Sequence, residues 1–283
     1  MIRFYNVNGA VTPVENAVLH VSDLSILRGY GIFDFFVAVR GQPLFWNDYA
    51  ARFYRSAALS GMEVPCTQTQ LKERVLELLT VNEMTDAGVR LVLTGGYSAD
   101  AYTPPGQPNL LILLHTLPSI WHRNASGIRV LLYDYQRELP QAKTTHYATG
   151  IRMIPRIEAA GAQDLVYHDG EWLRESTRSN FFLINSEGTI VTPGEAILEG
   201  VTRKHVLSVA RANGIPVEIR DVRVSEIAKA AEAFFTSSTK GVIPVSHIDG
   251  NQTGTGHYPI CHRLQELFLE SVETYLQREA GNN

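Results

Sequence analysis

Little in this sequence is available for metal or disulfide chemistry. Its 283 residues include two cysteines, Cys66 and Cys261, far apart and outside any CxxC spacing, and nine histidines scattered without an HExxH. That pattern supports neither a disulfide framework nor a metal site, and both cysteines read as small buried hydrophobes. An excess of one charge is also missing. The 25 basic and 29 acidic residues leave a net charge of −4 without blocks, which disfavours an electrostatic stripe for nucleic acid. No apolar run approaches the roughly 20 residues of a membrane span. The opening MIRFYNVNGA lacks the basic-then-apolar order of a signal peptide, so the expected location is the cytoplasm. Repeats, heptads and low-complexity tracts are absent, and 45% apolar residues suffice for one or two cores.

Lysine is scarce as well: only Lys72, Lys143, Lys204, Lys229 and Lys240 occur, so most of the basic residues are arginine. Lys72, Lys204 and Lys229 fall in helical patterns, where a solvated face explains them. Lys143, in Leu139-Pro140-Gln141-Ala142-Lys143-Thr144-Thr145-His146-Tyr147, and Lys240, in Ser237-Ser238-Thr239-Lys240-Gly241, lie in polar segments between apolar strands. A lysine so placed is either a plain loop residue, a partner for an anion, or an amine desolvated until it becomes nucleophilic.

The first part of the chain alternates like an antiparallel sheet. Ile2 to Val7 precedes the hairpin signal Asn8-Gly9, and Ile32 to Val39 precedes the turn Arg40-Gly41-Gln42-Pro43. Asp48 and Thr67 are positioned to cap helices through Leu59 and over Gln70 to Val81. Strands over Val89–Thr94 and Leu110–His115 flank the turn that starts at Gly95-Gly96, and Leu117-Pro118-Ser119 reads as a linker. The second part interleaves short strands with helices over Thr202–Ala212, Ser225–Ala231 and Tyr258–Gln277, and Pro155 should break the pattern after Tyr147. Mixed hairpins and crossovers predict a mixed α/β fold, not a doubly wound sheet. Arg28-Gly29-Tyr30-Gly31 is no dinucleotide loop, because GxGxxG and a preceding βαβ unit are lacking.

Five segments occur in a telling order: Lys143, Glu175 32 residues later, Asn180-Phe181-Phe182, Gly200-Val201-Thr202-Arg203, and Thr236-Ser237-Ser238. In this order, over nearly the whole chain, the sequence resembles the class IV aminotransferases, the fold type IV pyridoxal 5'-phosphate (PLP) enzymes. The resemblance implies two domains: an N-terminal α/β sandwich over 1–118, a linker over 119–126, and a larger barrel-like PLP-binding α/β domain over 127–283. It also implies a homodimer with the site near the subunit contact.

The family's roles map onto these residues. Lys143 would hold the cofactor aldehyde as a Schiff base and later shuttle the substrate Cα proton. Glu175 would keep the pyridine nitrogen protonated. Arg52, the Val201 backbone with the Thr202 hydroxyl at a helix start, Ser237 and Ser238 would bind the phosphate. Tyr147 corresponds to the tyrosine that bonds the ring hydroxyl, one residue closer to the lysine than in branched-chain enzymes. Outside the resemblance these would be a solvated arginine, a helix cap, turn hydroxyls and a core tyrosine.

Substrate choice follows from departures. Usual D-amino-acid transaminases carry an Arg-x-His carboxylate trap where this chain has Asp100-Ala101-Tyr102. Branched-chain enzymes place tyrosines at the positions of Gly88 and Arg28; of their set only Arg90 is kept. This chain adds Arg28 and Arg178. A cation buried beside the cofactor must be paired, and planar binding of the substrate carboxylate would use it, with Arg28 able to come from a neighbouring subunit. An ion pair of Arg178 with Glu175 or Asp169 is the competing explanation. The reading is therefore a ping-pong transaminase between a D-amino acid and a 2-oxo acid. A branched-chain L-amino-acid transaminase is the main alternative and an aminodeoxychorismate lyase a lesser one. A cofactor-free binding module is the non-enzyme alternative.

Overall fold

The computed structural model describes residues 1–117 and 126–281, so all but the last residue of the linker expected over 119–126 lies outside the described residues. The chain forms two compact units. The first comprises Met1–Pro118, Ala142–His146 and Tyr275–Asn283; the second comprises Ser119–Gln141 and Tyr147–Thr274. The segment around Lys143 therefore packs with the first unit, although it lies well beyond that unit's strands in sequence.

The first unit holds β1 (Phe4–Val7), β2 (Ala10–Pro13), α1 (Leu24–Arg28), β3 (Gly31–Val39), β4 (Gln42–Pro43), α2 (Trp46–Leu59), α3 (Gln68–Val81), β5 (Ala87–Thr94) and β6 (Leu110–His115). Its six strands run antiparallel in the order β2-β1-β6-β5-β3-β4. Asn8 and Gly9 both take positive φ, 53° and 93°, which gives the tight turn expected between β1 and β2. Thr67 caps α3 in a reciprocal box with Gln70. Asp48 is not the cap of α2: the helix starts at Trp46 after left-handed Phe45, and Asp48 sits in the first turn, where the helix dipole favours a carboxylate.

β3 carries a carboxylate into the interior. Residues of alternate parity face opposite sides of a strand. Ile32, Asp34, Phe36 and Ala38 share one side and are fully buried. Phe36 meets Trp46 and Tyr49 of α2, so Asp34 lies on the side that α2 covers.

The second unit holds β7 (Ile128–Asp134), α4 (Ala148–Arg152), α5 (Ile154–Ala159), β8 (Asp164–His168), β9 (Asn180–Ile184), β10 (Ile190–Thr192), α6 (Val201–Ala212), β11 (Val217–Ile219), β12 (Glu232–Ser237), β13 (Gly241–Ile248), β14 (Asn251–Gln252) and most of α7 (Pro259–Gly281). Its sheet runs β11-β10-β9-β12-β13-β7-β8, with β14 on β13. Parallel pairs (β10 with β11, β13 with β7, β7 with β8) are mixed with antiparallel ones, as the interleaved pattern predicts. Phe181 meets Phe235 edge to face at 5.5 Å, while Phe182 stacks on Phe234 at 4.4 Å. Consecutive residues of β9 thus bury rings on both sides of the sheet, which accounts for its unbroken apolar run. The helix expected over Ser225–Ala231 is instead a 3-10 turn, Val224–Lys229. The break near Pro155 falls at Met153, where α4 gives way to α5. Among the described residues no helix is long and apolar enough to cross a membrane.

Candidate active site

The first unit gathers Lys143, Arg52 and Arg90 around β3. The Lys143 carbonyl accepts from Phe33 N at 2.9 Å, and Lys143 N donates to Ser56 Oγ at 3.1 Å. Ser56 lies one turn beyond Arg52 on α2, so the lysine backbone is anchored next to the arginine's own row of side chains. Arg52 is 7% exposed, and its guanidinium grips fully buried Asp34 at two points: Nε to Oδ2 at 2.9 Å and Nη2 to Oδ1 at 2.6 Å. It also lies over the Tyr49 ring at 5.1 Å. A fork locked in this way has its charge neutralised and its direction fixed. Sequence reasoning missed Asp34. The signal was a lone carboxylate in the apolar strand Gly31-Ile32-Phe33-Asp34-Phe35-Phe36.

The Lys143 Nζ stands 4.7 Å from the centre of the Phe33 ring, and the Arg90 guanidinium stands 5.1 Å from the same ring and 5.4 Å from Phe35. The register of β3 and β5, with Phe35 opposite Arg90, brings this about. Arg90 Nε donates to His115 Nε2 at 3.3 Å. Burial first, and then the Arg90 charge, hold the His115 ring below its usual pKa of 6.5, so it stays a neutral acceptor. As pH falls through 6.5, the unfolded chain takes up a proton that the folded ring refuses, so stability declines with acidification. Thermal midpoints of His115→Gln should therefore fall less steeply on the acid side than those of the parent protein. Identical slopes would remove His115 from the explanation.

In the second unit Glu175, Asn180, the start of α6 and the end of β12 converge. Glu175 is 5% exposed. Its Oε2 accepts from Leu198 N at 3.1 Å and Asn180 Nδ2 at 3.4 Å, and its Oε1 pairs with Arg137 at 3.0 Å. Arg137 is a second missed residue; 38 positions upstream in an irregular stretch, it had no pattern to mark it. Asn180 Nδ2 also donates to Leu198 O at 2.7 Å. A Cβ on Gly200 would stand 2.0 Å from Asn180 Oδ1, so only glycine lets α6 begin against that side chain.

The cap of α6 is Gly200, with no side-chain cap bond, and Val201 and Thr202 form its buried first turn. Thr202 therefore does not cap the helix, which removes the plain explanation for its hydroxyl. Thr236, opposite Asn180 in the β12–β9 register, and nearby Ser179 carry buried hydroxyls without a hydrogen-bond partner. Ser237 and Ser238 follow, half-buried. An uncapped helix start, an obligatory glycine and orphaned hydroxyls suit a phosphate, and a buried carboxylate suits a protonated ring nitrogen, so these residues fit pyridoxal phosphate. Tyr147, half-buried, opens α4 in this unit. Among the described residues no group of three or more His, Cys, Asp or Glu is placed to hold a metal.

Arg28 and Arg178 are both exposed, so within one chain neither is the buried charge that the sequence led us to expect. Arg28 ends α1, with Nη1 donating to Leu27 O at 3.0 Å. Fully buried Asp23 fixes that helix by accepting from Ser25 N, Thr94 Oγ1 and Asn109 Nδ2. The competing ion pairs for Arg178 do not form: Glu175 pairs with Arg137, and Asp169 with Arg174 at 2.5 Å. Where the usual D-enzymes carry their trap, Asp100 instead accepts from Ser98 Oγ, Tyr102 N, Thr103 N and Thr103 Oγ1. These bonds, led by the Thr103 hydroxyl, hold its carboxyl far below the usual range. That carboxylate organises its own turn.

The family model for amino-transferase class IV matches residues 31–248. A putative branched-chain-amino-acid aminotransferase of Methanocaldococcus jannaschii is 28% identical over 276 residues, 93% of this chain and 94% of its own. A D-alanine aminotransferase of Listeria monocytogenes is 27% identical over 275 residues, 94% and 95% of the two chains. Among solved structures, a T.th. branched-chain amino acid aminotransferase complexed with N-(5'-phosphopyridoxyl)-L-glutamate superposes with a TM-score of 0.87 at 25% identity, covering 97% and 95% of the chains. The Escherichia coli branched-chain enzyme shares the fold with a TM-score of 0.88 at 21% identity, covering 96% and 95%. With residues 31–248 of its 283 matched to one family model, the chain belongs to the class IV aminotransferases.

Proposed function

We propose that this aminotransferase, with pyridoxal 5'-phosphate as its cofactor, moves an amino group from a D-amino acid to a 2-oxo acid. The observation that carries the D preference is the pair of exposed guanidiniums at 28 and 178 in a chain whose trap segment is instead an Asp100-organised turn. Bound pyridoxal phosphate supplies an electron sink that lets a Cα proton leave. Lys143 Nζ holds the cofactor, takes that proton and returns it on the other carbon. Glu175 accepts the pyridine N–H. Arg52, held by Asp34, binds the phosphate together with the first turn of α6, Ser237 and Ser238. Tyr147 bonds the ring hydroxyl, and Arg28 and Arg178 hold the substrate carboxylate by two-point contact. A homodimer, the assembly that the resemblance implies, would let Arg28 be lent across subunits. Sedimentation of the holoenzyme as a 31.5 kDa species would contradict the dimer.

The second reading, a branched-chain L-amino-acid transaminase, is favoured by Arg90 sharing the Phe33 ring with Lys143. Paired D- and L-amino acids assayed with 2-oxoglutarate decide between them. Turnover of D-alanine or D-glutamate above all L-amino acids is expected, and preference for L-leucine or L-valine overturns the D assignment. Turnover without any 2-oxo acid would point to the lyase. Arg178→Ala should raise the donor KM by about 10-fold or more with the cofactor retained, because a charge-assisted contact is lost; an unchanged KM rejects its carboxylate role.

A further inference from the structure

Lys240 has no part in the proposed chemistry, yet its charge is placed with care. Its Nζ meets Asp164 Oδ2 at 2.8 Å and lies 5.8 Å from the Phe235 ring centre. Asp164 opens β8 and its side chain is 5% exposed. Its other oxygen, Oδ1, accepts from Ser176 Oγ at 2.7 Å and from Leu165 N at 2.9 Å. Ser176 Oγ in turn receives Arg178 N at 3.3 Å, while Ser176 N donates to Ser179 O. At the other end, Lys240 N donates to Ser237 Oγ at 3.3 Å, so the lysine belongs to the turn that presents Ser237 and Ser238. One buried carboxylate thus ties two separate loops of the second unit: the β12–β13 turn and the turn from Glu175 to Arg178.

We infer that Lys240 is a positioning residue which, through Asp164 and Ser176, sets the cofactor-phosphate turn and the Arg178 turn in fixed register. The inference rests on the roles proposed for Ser237 and Arg178. In this reading Lys240 acts through its neighbours: its ammonium pairs with Asp164, and Asp164 accepts from the Ser176 hydroxyl whose oxygen receives the Arg178 amide. Without the charge, Asp164 would be a buried carboxylate short of a partner, and it would draw solvent into the joint. Both turns would then lose their fixed geometry, as supporting residues around a site commonly show by 10–100-fold effects when removed.

The test compares Lys240→Met, Lys240→Arg, Ser176→Ala and Arg178→Ala as holoenzymes in two measurements: the rate at which pyridoxal phosphate leaves on dialysis, and steady-state kinetics with the preferred donor. Lys240→Met should release cofactor about 10-fold faster and raise the donor KM about 10-fold with kcat nearly unchanged, and Lys240→Arg should restore both. Ser176→Ala, a milder change that keeps the ion pair, should raise KM and leave cofactor release as in the parent. Parent-like release and KM in Lys240→Met overturn the inference, as does a lowered melting temperature with neither constant moved. If Lys240→Met does not fold, an unchanged KM in Ser176→Ala overturns it instead. Arg178→Ala separates the two levels. If its KM is unmoved, the carboxylate role fails and cofactor release alone judges Lys240; if its KM rises while Lys240→Met stays parent-like, only the inference fails.

Discussion

Lys143→Ala should lose about 10⁴-fold in kcat/KM, since one amine supplies both the covalent hold on the cofactor and the proton transfer at Cα. The fold should survive. The two backbone bonds of residue 143, the carbonyl accepting from Phe33 N and the amide donating to Ser56 Oγ, are kept by alanine. Far-ultraviolet circular dichroism and the unfolding midpoint should therefore match the parent while turnover vanishes. Residual activity within about 10-fold of the parent would mean that another group moves the proton.

The largest effect on stability is expected at Asp34. Its side chain is fully buried and that of Arg52 is 8% exposed, so Asp34→Ala takes a two-point ionic contact away from a guanidinium in a dry interior. Breaking such a pair from one side costs about 3–5 kcal/mol. Replacing both partners by apolar residues of similar size, Asp34→Leu with Arg52→Met, should recover most of that stability and still retain cofactor poorly. Denaturant unfolding beside cofactor release thus separates the structural role of the pair from its role toward the phosphate. If Asp34→Ala unfolds at the parent's denaturant midpoint, the pair is not what holds Arg52.

The difference between what the sequence makes legible and what it hides follows the range of the interactions. Asn8-Gly9 and the Thr67 to Gln70 box are local, and both form as read. The spaced motifs from Lys143 to Ser238 were readable because each keeps its own chemistry in order along the chain, and the family match bears out that reading of the family. Asp34 with Arg52, Arg137 with Glu175, and Asp164 with Lys240 are 18, 38 and 76 residues apart. Each depends on a strand register or a turn that periodicity does not encode. The start of α6 falls at Val201 and Thr202 as read, and the plain explanation of Thr202 as its cap does not hold, because Gly200 stands at the cap position against Asn180. Arg28 and Arg178 were expected to be buried from their supposed neighbours, and within one chain both are exposed.

Borohydride reduction of the yellow holoenzyme, followed by proteolysis and mass mapping, tests the central claim most directly. The pyridoxyl mass should be found on the peptide that contains Lys143, with the colour bleached and turnover gone. A label on Lys240 or any other lysine, or a colourless protein that takes up none, contradicts it.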